Sequence, residues 1–186
     1  VPRLAHVAFY RSPHAHAKIT QMDLAQARKQ PGVIAVVDGR AVAEFCTPWV
    51  GVLGHLKGIK SAPQHALAID RVCWQGEAVV AIVAETRRQA EDALDHVQVE
   101  WEPLPAVTDM KASQRGDVII HPDLGDNICF TRSLETEGFA EAFAKAEVVV
   151  EKTYDFSRHT GVTNEPRAIL ADYNPAEHSL TVYHGT

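Results

Sequence analysis

The stretch from Ala78 to Trp101 constrains this chain more than any other. Ala78-Val-Val-Ala-Ile-Val-Ala84 is its longest apolar run, and its length suits one buried strand. Thr86-Arg-Arg-Gln89 follows as a capping box, with the Thr hydroxyl placed to accept from the third helical amide. Ala90, Ala93, Leu94 and Val97 then recur at helical spacing, and the pattern predicts a helix from Arg87 to His96. Val97-Gln-Val-Glu-Trp101 alternates as a strand before Pro103 and Pro105 end regular structure. The expected product is an α+β domain, its helix packed on one mixed sheet that holds both strands, with Val80, Ile82 and Leu94 buried.

The preceding residues extend this pattern. Leu4 to Tyr10 and Ala17 to Met22 read as strands separated by Ser12-Pro13, and Asp23 starts a short helix reaching Lys29. Pro31-Gly32 stops that helix, Val33 to Val37 reads as a strand, and Asp38-Gly39 reads as a turn. Periodicity is lost from Cys46 to Ala66, where Pro48, Gly51, Gly54, Gly58 and Pro63 punctuate a long loop. Loops of this length are usually functional or packed on a partner. Trp49, Val50, Val52 and Leu53 are apolar without a periodic face, so the loop is expected to be mobile or to meet a partner surface, either the rest of a longer chain or a neighbour. Order returns at Leu67 to Trp74. Residues 108–134 read as a connector across a domain boundary. Beyond it, Phe139, Ala142, Phe143 and Ala146 share a helical face, Glu147 to Phe156 reads as a long strand, and Ala168 to Tyr173 and Leu180 to Tyr183 flank an Asn174-Pro175 turn. This last block has too little apolar surface for a complete domain, and both ends of the chain read as cut.

Composition removes several classes of function. With 24 Asp and Glu against 18 Lys and Arg, the net charge is −6, and without a basic run the chain lacks a nucleic-acid footprint. No apolar run reaches the roughly 18 residues of a membrane helix. Cys46, Cys73 and Cys129 are too scattered for a zinc site, a disulfide framework or an iron–sulfur cluster, and are expected to be reduced, small and buried, as in a cytoplasmic protein.

Three groups of side chains invite chemistry. His14-Ala-His16 on a strand would put two imidazoles on one face, as ligands for a metal or as local polar groups. Around His159, Asn164, Glu165 and Arg167, a carboxylate and an imidazole could serve acid–base work in a hydrolase, or Glu165 and Arg167 could anchor strands by ion pairs. The loop from Pro48 to Lys60, with Lys57 and Lys60, could meet an anion or a partner, or be solvated. Neither phosphate-binding glycine motif occurs, and no Ser or Cys stands in a nucleophile elbow. From residue chemistry alone there is no complete active site.

Several ordered stretches resemble the large subunits of molybdenum hydroxylases, the xanthine dehydrogenase, aldehyde oxidase and carbon monoxide dehydrogenase large-chain family. They are His6-Val-Ala-Phe-Tyr-Arg-Ser-Pro-His-Ala-His-Ala-Lys-Ile19, Pro31-Gly-Val-Ile-Ala-Val-Val37, the stretch Arg71 to Thr86 with Ala78 where proline is usual, Gln89-Ala-Glu-Asp-Ala93, Val99-Glu-Trp-Glu-Pro-Leu-Pro-Ala-Val107, His121-Pro-Asp-Leu-Gly-Asp-Asn127 and Glu165-Pro-Arg167. The resemblance implies an α/β hammerhead domain over residues 1–107, the connector 108–134, and the first strands of a molybdopterin-binding domain over 135–186. It implies a molybdenum–molybdopterin cofactor, in the cytosine dinucleotide or a related form, that serves hydroxylation of an aldehyde, a purine-like heterocycle or carbon monoxide with oxygen from water. Its implied partners are the remainder of the large subunit and iron–sulfur and FAD subunits or domains, in an oligomeric holoenzyme. The family's catalytic glutamate lies beyond this chain, and Glu165 does not match it. The resemblance therefore assigns no catalytic, cofactor-binding or metal residue here, and expects this part alone to be structural and inactive. A stand-alone hammerhead-type binding or assembly module is the alternative.

Overall fold

The computed structural model describes residues 3–156 and 161–185. The chain divides into two compact units, Val1–Leu134 and Glu135–Thr186.

The first unit is built on two three-stranded antiparallel sheets. β1 (His6–Arg11), β3 (Val33–Asp38) and β5 (Ala78–Ala84) form one, in the order β1-β5-β3. β2 (Ala17–Asp23), β4 (Arg71–Val72) and β6 (Gln98–Pro103) form the other, in the order β4-β2-β6. The expected single mixed sheet is therefore corrected. β5 and β6, though joined by one helix, lie in different sheets, and every pairing is antiparallel. The reason lies in the partners: β5 is central between β1 and β3, so both of its hydrogen-bonding edges are already taken.

One core cluster draws on both sheets. Val36, Val79, Val80 and Ile82 come from the first, and Ala17 and Val72 from the second, with Leu24, Ala27, Ala68, Ala93 and Val97 from the connections. Val80 and Ile82 are wholly buried, as the periodicity expects, and Leu94, expected buried, is partly buried against the core. The helix after β5 is α2 (Arg87–Asp92), continued by a 3-10 turn over Ala93–His96. Thr86 Oγ1 accepts from the Gln89 amide at 3.3 Å, which is the expected cap. Ala90 packs against Ala8 and Ala84 in a small satellite cluster, where three methyl groups let the helix approach the sheet closely.

The short Asp23 helix is a 3-10 turn over Ala27–Lys29. Asp23 Oδ1 accepts from the Ala25 amide at 2.8 Å, an Asx turn before the helical residues. Asp38-Gly39 is not a simple turn: Asp38 Oδ1 accepts from the Ala41 amide and caps α1 (Gly39–Ala43). Gly39 is required there because a Cβ would lie 2.5 Å from the Ala68 carbonyl oxygen. Asp70 and Arg40 pair across this corner.

Residues 108–134 belong to the first unit and contain α3 (Met110–Arg115), capped by Asp109. Asn127 organises the segment, its Oδ1 accepting from the Ile120 amide and its Nδ2 donating to the Val118 carbonyl. In the second unit, α4 (Phe139–Ala144) stacks Phe139 on Phe143. β7 (Ile169–Asn174) and β8 (Ser179–His184) form an antiparallel hairpin around Asn174, whose Oδ1 accepts from the Ala176 amide. The strand expected from Glu147 to Phe156 is corrected. These residues join no ladder among the described residues, and Val148, Val150 and Tyr154 are each at least three-quarters exposed. Alternation alone cannot make a strand, which exists only through pairing with a neighbour.

Candidate functional site

The residues singled out by sequence do not converge. His14 and His16 sit in a bend before β2, not on a strand, so strand alternation does not align them. His14 lies edge-on to Trp101 at 5.5 Å. His16 is almost fully buried, and its Nδ1 donates to the Pro105 carbonyl at 2.7 Å. Its Nε2 has no hydrogen-bond partner among the described residues. Among those residues no group of three or more His, Cys, Asp or Glu side chains is arranged to hold a metal ion.

His159 lies outside the described residues. Asn164, Glu165 and Arg167 are exposed, the Glu165 carbonyl accepts from Thr163 Oγ1 at 2.9 Å, and neither Glu165 nor Arg167 is in an ion pair among the described residues. The two lysines of the long loop differ. Lys57 is exposed, whereas Lys60 Nζ donates to Asp126 Oδ2 at 2.7 Å and to the Leu124 carbonyl at 3.2 Å. The Lys60 hydrogen bond holds the Asp126 carboxyl below its ordinary range. Cys46 and Cys129 are exposed and Cys73 half-buried, all free, which corrects the expectation of three buried thiols. Cys46 and Cys129 lie in connecting segments rather than in the sheets that make the core.

Two polar features escaped the sequence reading. Glu77 is half-buried and folds back to accept from the Cys73 amide at 2.6 Å, closing the turn before β5. Burial pushes its carboxyl up, against the pull of the Cys73 and Trp74 amides and of Arg71, and burial likewise raises the Cys73 thiol. His121 is the second. Burial first, then the charges of Arg71 and His16, holds its imidazole below the ordinary value. Arg71 and His121 stand far apart in sequence, with no shared motif to link them. These groups stabilise turns and junctions, and the Cys73 thiol, held protonated by its burial, is a poor nucleophile.

The described residues do not fit a pterin cofactor either. Such a group needs several converging donors and a closed wall. In the second unit, Gly161 and Gly185 face open space, and the hairpin side chains are exposed apart from the partly buried Leu170. A cavity of about 560 Å³ lies in the first unit instead, lined by Arg3, Leu4, Ala5, His6, Ile34 and Glu85, with one cation against one carboxylate.

Residues 1–105 match the sequence model of the aldehyde oxidase and xanthine dehydrogenase a/b hammerhead domain. The chain belongs to that family. Residues 120–186 match the molybdopterin cofactor-binding domain, so the α+β hammerhead is followed by the beginning of such a domain. Among relatives, the chain is 33% identical to the 6-hydroxypseudooxynicotine dehydrogenase complex subunit gamma of Paenarthrobacter nicotinovorans, over 98% of this chain and 23% of the relative. It is 35% identical to the nicotine 6-hydroxylase large subunit of the same organism, over 97% and 22%. The carbon monoxide dehydrogenase large chain of Afipia carboxidovorans is 29% identical, over 98% and 24%. The solved quinoline 2-oxidoreductase of Pseudomonas putida 86 superposes with a TM-score of 0.91 at 34% identity, over 100% of this chain and 24% of that one. The chain thus spans about a quarter of the relatives it matches.

Proposed function

We propose that this chain supplies the hammerhead domain (residues 1–107), a connector (108–134) and the opening of the first molybdopterin-binding domain (135–186) to the large subunit of a molybdenum-dependent hydroxylase. The observation that supports this order of domains is the pair of family matches, over residues 1–105 and 120–186, together with the full-length superposition on quinoline 2-oxidoreductase. The substrate class we favour is an aromatic nitrogen heterocycle, because relatives of comparable identity are named for nicotine, nicotinate and quinoline. A molybdenum–molybdopterin cofactor, in the cytosine dinucleotide form, would supply the two-electron oxidation of a ring carbon with oxygen taken from water. Iron–sulfur and FAD partners would carry the electrons onward, in the cytoplasm.

The role of these residues is architectural. The first unit offers a packed two-sheet core that positions loops, and the second offers exposed amphipathic elements for further domain structure to cover. Among the described residues no acid–base and donor groups converge, which supports reading this part as structural. Among the described residues no helix is long and apolar enough to cross a membrane. The test is to purify the gene product with its companions from its own host, measure molybdenum by mass spectrometry, and follow dye reduction with quinoline, nicotinate, benzaldehyde and carbon monoxide. One molybdenum per large subunit, turnover of a heterocycle, and ¹⁸O transfer from labelled water are expected. Absence of molybdenum from a pure, folded preparation would refute the family-based activity and leave the binding or assembly module.

A further inference from the structure

Among the described residues one buried side-chain atom has no hydrogen-bond partner, Nε2 of His16. Native folds leave few such atoms unpaired, and each one calls for a reason. His16 is 6% exposed, and the shielding comes from this chain itself. Further polypeptide therefore cannot reach Nε2 unless the ring moves.

The imidazole works as a clasp. Ala17, the next residue, pairs with Val72 of β4 and with Pro103 of β6, so His16 sits where the second sheet ends. Its carbonyl accepts from the Leu104 amide at 2.9 Å, and its Nδ1 donates to the Pro105 carbonyl at 2.7 Å. Both bonds hold the chain that leaves β6 on its way to α3. Pro103 and Pro105 have no amide hydrogen to add to them.

With a single proton, on Nδ1, the ring serves Pro105 and carries no charge. A second proton would go on Nε2 and make a buried N–H without an acceptor. The elements packed around the ring offer little relief. β4 brings Arg71, the turn after it Cys73 and Glu77, and the 108–134 segment His121 and Asp123. Arg71 has the wrong sign, and Glu77 is already engaged by the Cys73 amide at 2.6 Å. Lys18 and Glu102, next along β2 and β6, pair with each other at 2.9 Å, and His14 lies against Trp101. Burial, then Arg71 and His16, holds the His121 imidazole below its ordinary value, so this corner resists added positive charge.

We infer that His16 is a proton-operated clasp: a proton taken up at Nε2 drives the ring out into water and frees residues 104–107 from the second sheet, while the two-sheet core stays closed. This holds whatever the whole protein catalyses, since every group involved lies in the first unit. Imidazole is the side chain whose charge ordinarily changes between about pH 5 and 8, so release belongs to mild acid. An opening that takes up one proton grows by up to about tenfold per pH unit.

The test is hydrogen–deuterium exchange of the full-length protein in its native complex at pH 7.5, 6.5 and 5.5, with labelling times scaled to the intrinsic exchange rate at each pH. The readout is the Leu104 amide, with peptides covering Ala78–Ala84 as the reference for the core. From pH 7.5 to 5.5 protection at Leu104 should fall about tenfold, with the core still about a hundredfold better protected at pH 5.5, as a local opening requires. His16→Asn keeps a donor for the Pro105 carbonyl and cannot be charged, so Leu104 should stay protected at all three values. His121→Gln should leave the wild-type fall in place. Protection at Leu104 that does not change with pH, or that matches the core, overturns the inference, and so does an unaltered fall in His16→Asn. Should His16→Asn expose its core at pH 7.5, His121→Gln decides: a fall that persists there supports the clasp, and a fall that disappears assigns the response to His121 and overturns it.

Discussion

Ile82 is the position at which the two-sheet core should be most sensitive. It is wholly buried at the centre of β5, opposite Ala8 on one side and Val36 on the other. Ile82→Ala removes three carbons, at about 0.8 kcal/mol each, or about 2.4 kcal/mol of transfer free energy. The void left in the packed cluster adds about 1 kcal/mol. The total, about 3.5 kcal/mol, is a large share of the roughly 5–15 kcal/mol by which a domain is stable. With a urea m-value of about 2 kcal/mol/M, the midpoint should fall by roughly 1.7 M at constant m. Urea titrations followed by Trp fluorescence and by far-ultraviolet circular dichroism measure it, since Trp101 packs against the same core. Ile34→Ala, at a residue 60% exposed in the bulge of β3, is the matched control and should cost less than about 1 kcal/mol. A midpoint shift under about 0.5 M for Ile82→Ala, or equal shifts for both variants, would refute the packing argument.

Two further outcomes follow from the junctions. His121 is held below its ordinary pKa, so the unfolded chain takes up its proton first; the stability this contributes is complete above about pH 6.5 and is lost as pH falls through that value. A thermal-melt series from pH 7.5 to 5 should show the decline, His121→Gln should flatten it, and an unaltered slope in the variant would contradict the burial argument. Thr86→Ala removes the only side-chain cap of α2 and should lower stability by about 1 kcal/mol, with Thr86→Ser restoring most of it; equal stability of all three proteins in urea would show that the 3.3 Å bond contributes nothing.

Local patterns were legible in the sequence, and long-range choices were not. β5, the capped helix and β6 appear nearly where periodicity puts them, because a capping box and an apolar stripe are signals written within a few residues. Which sheet each strand joins depends on partners up to 86 residues away. His6 pairs with Ala84 and Ala17 with Pro103, and no local rule fixes that. The α1 helix was hidden because Gly39 is a poor helix former, chosen here for the close approach of Ala68. Glu147 to Phe156 read as a strand but pairs with no neighbour among the described residues. The polar groups failed for a related reason. Neighbouring histidines at 14 and 16 suggested a shared ligand, yet one ring is spent on the Pro105 carbonyl and the other on Trp101. Arg71, His16 and His121 act on each other only after three segments have met. Family resemblance, which integrates many weak motifs along the whole chain, conveyed what single residues could not.

The strand order has a consequence for biosynthesis. β1, β2 and β3 pair with none of one another; β1 and β3 wait for β5, and β2 waits for β4 and β6. A nascent chain growing at about 5–20 residues per second therefore carries β1 for roughly 4 to 15 s before its partner is made. Throughout that interval Val7, Phe9, Ile19 and the Val33–Val37 run have no ladder to enter, and folding through such distant contacts is intrinsically slow. Emergence of the Ala78–Ala84 run then satisfies two waiting edges at once, so translation speed just upstream of it, and chaperone occupancy of the first 70 residues, become determinants of yield. Synonymous codon changes there would alter how much protein folds without altering a single side chain.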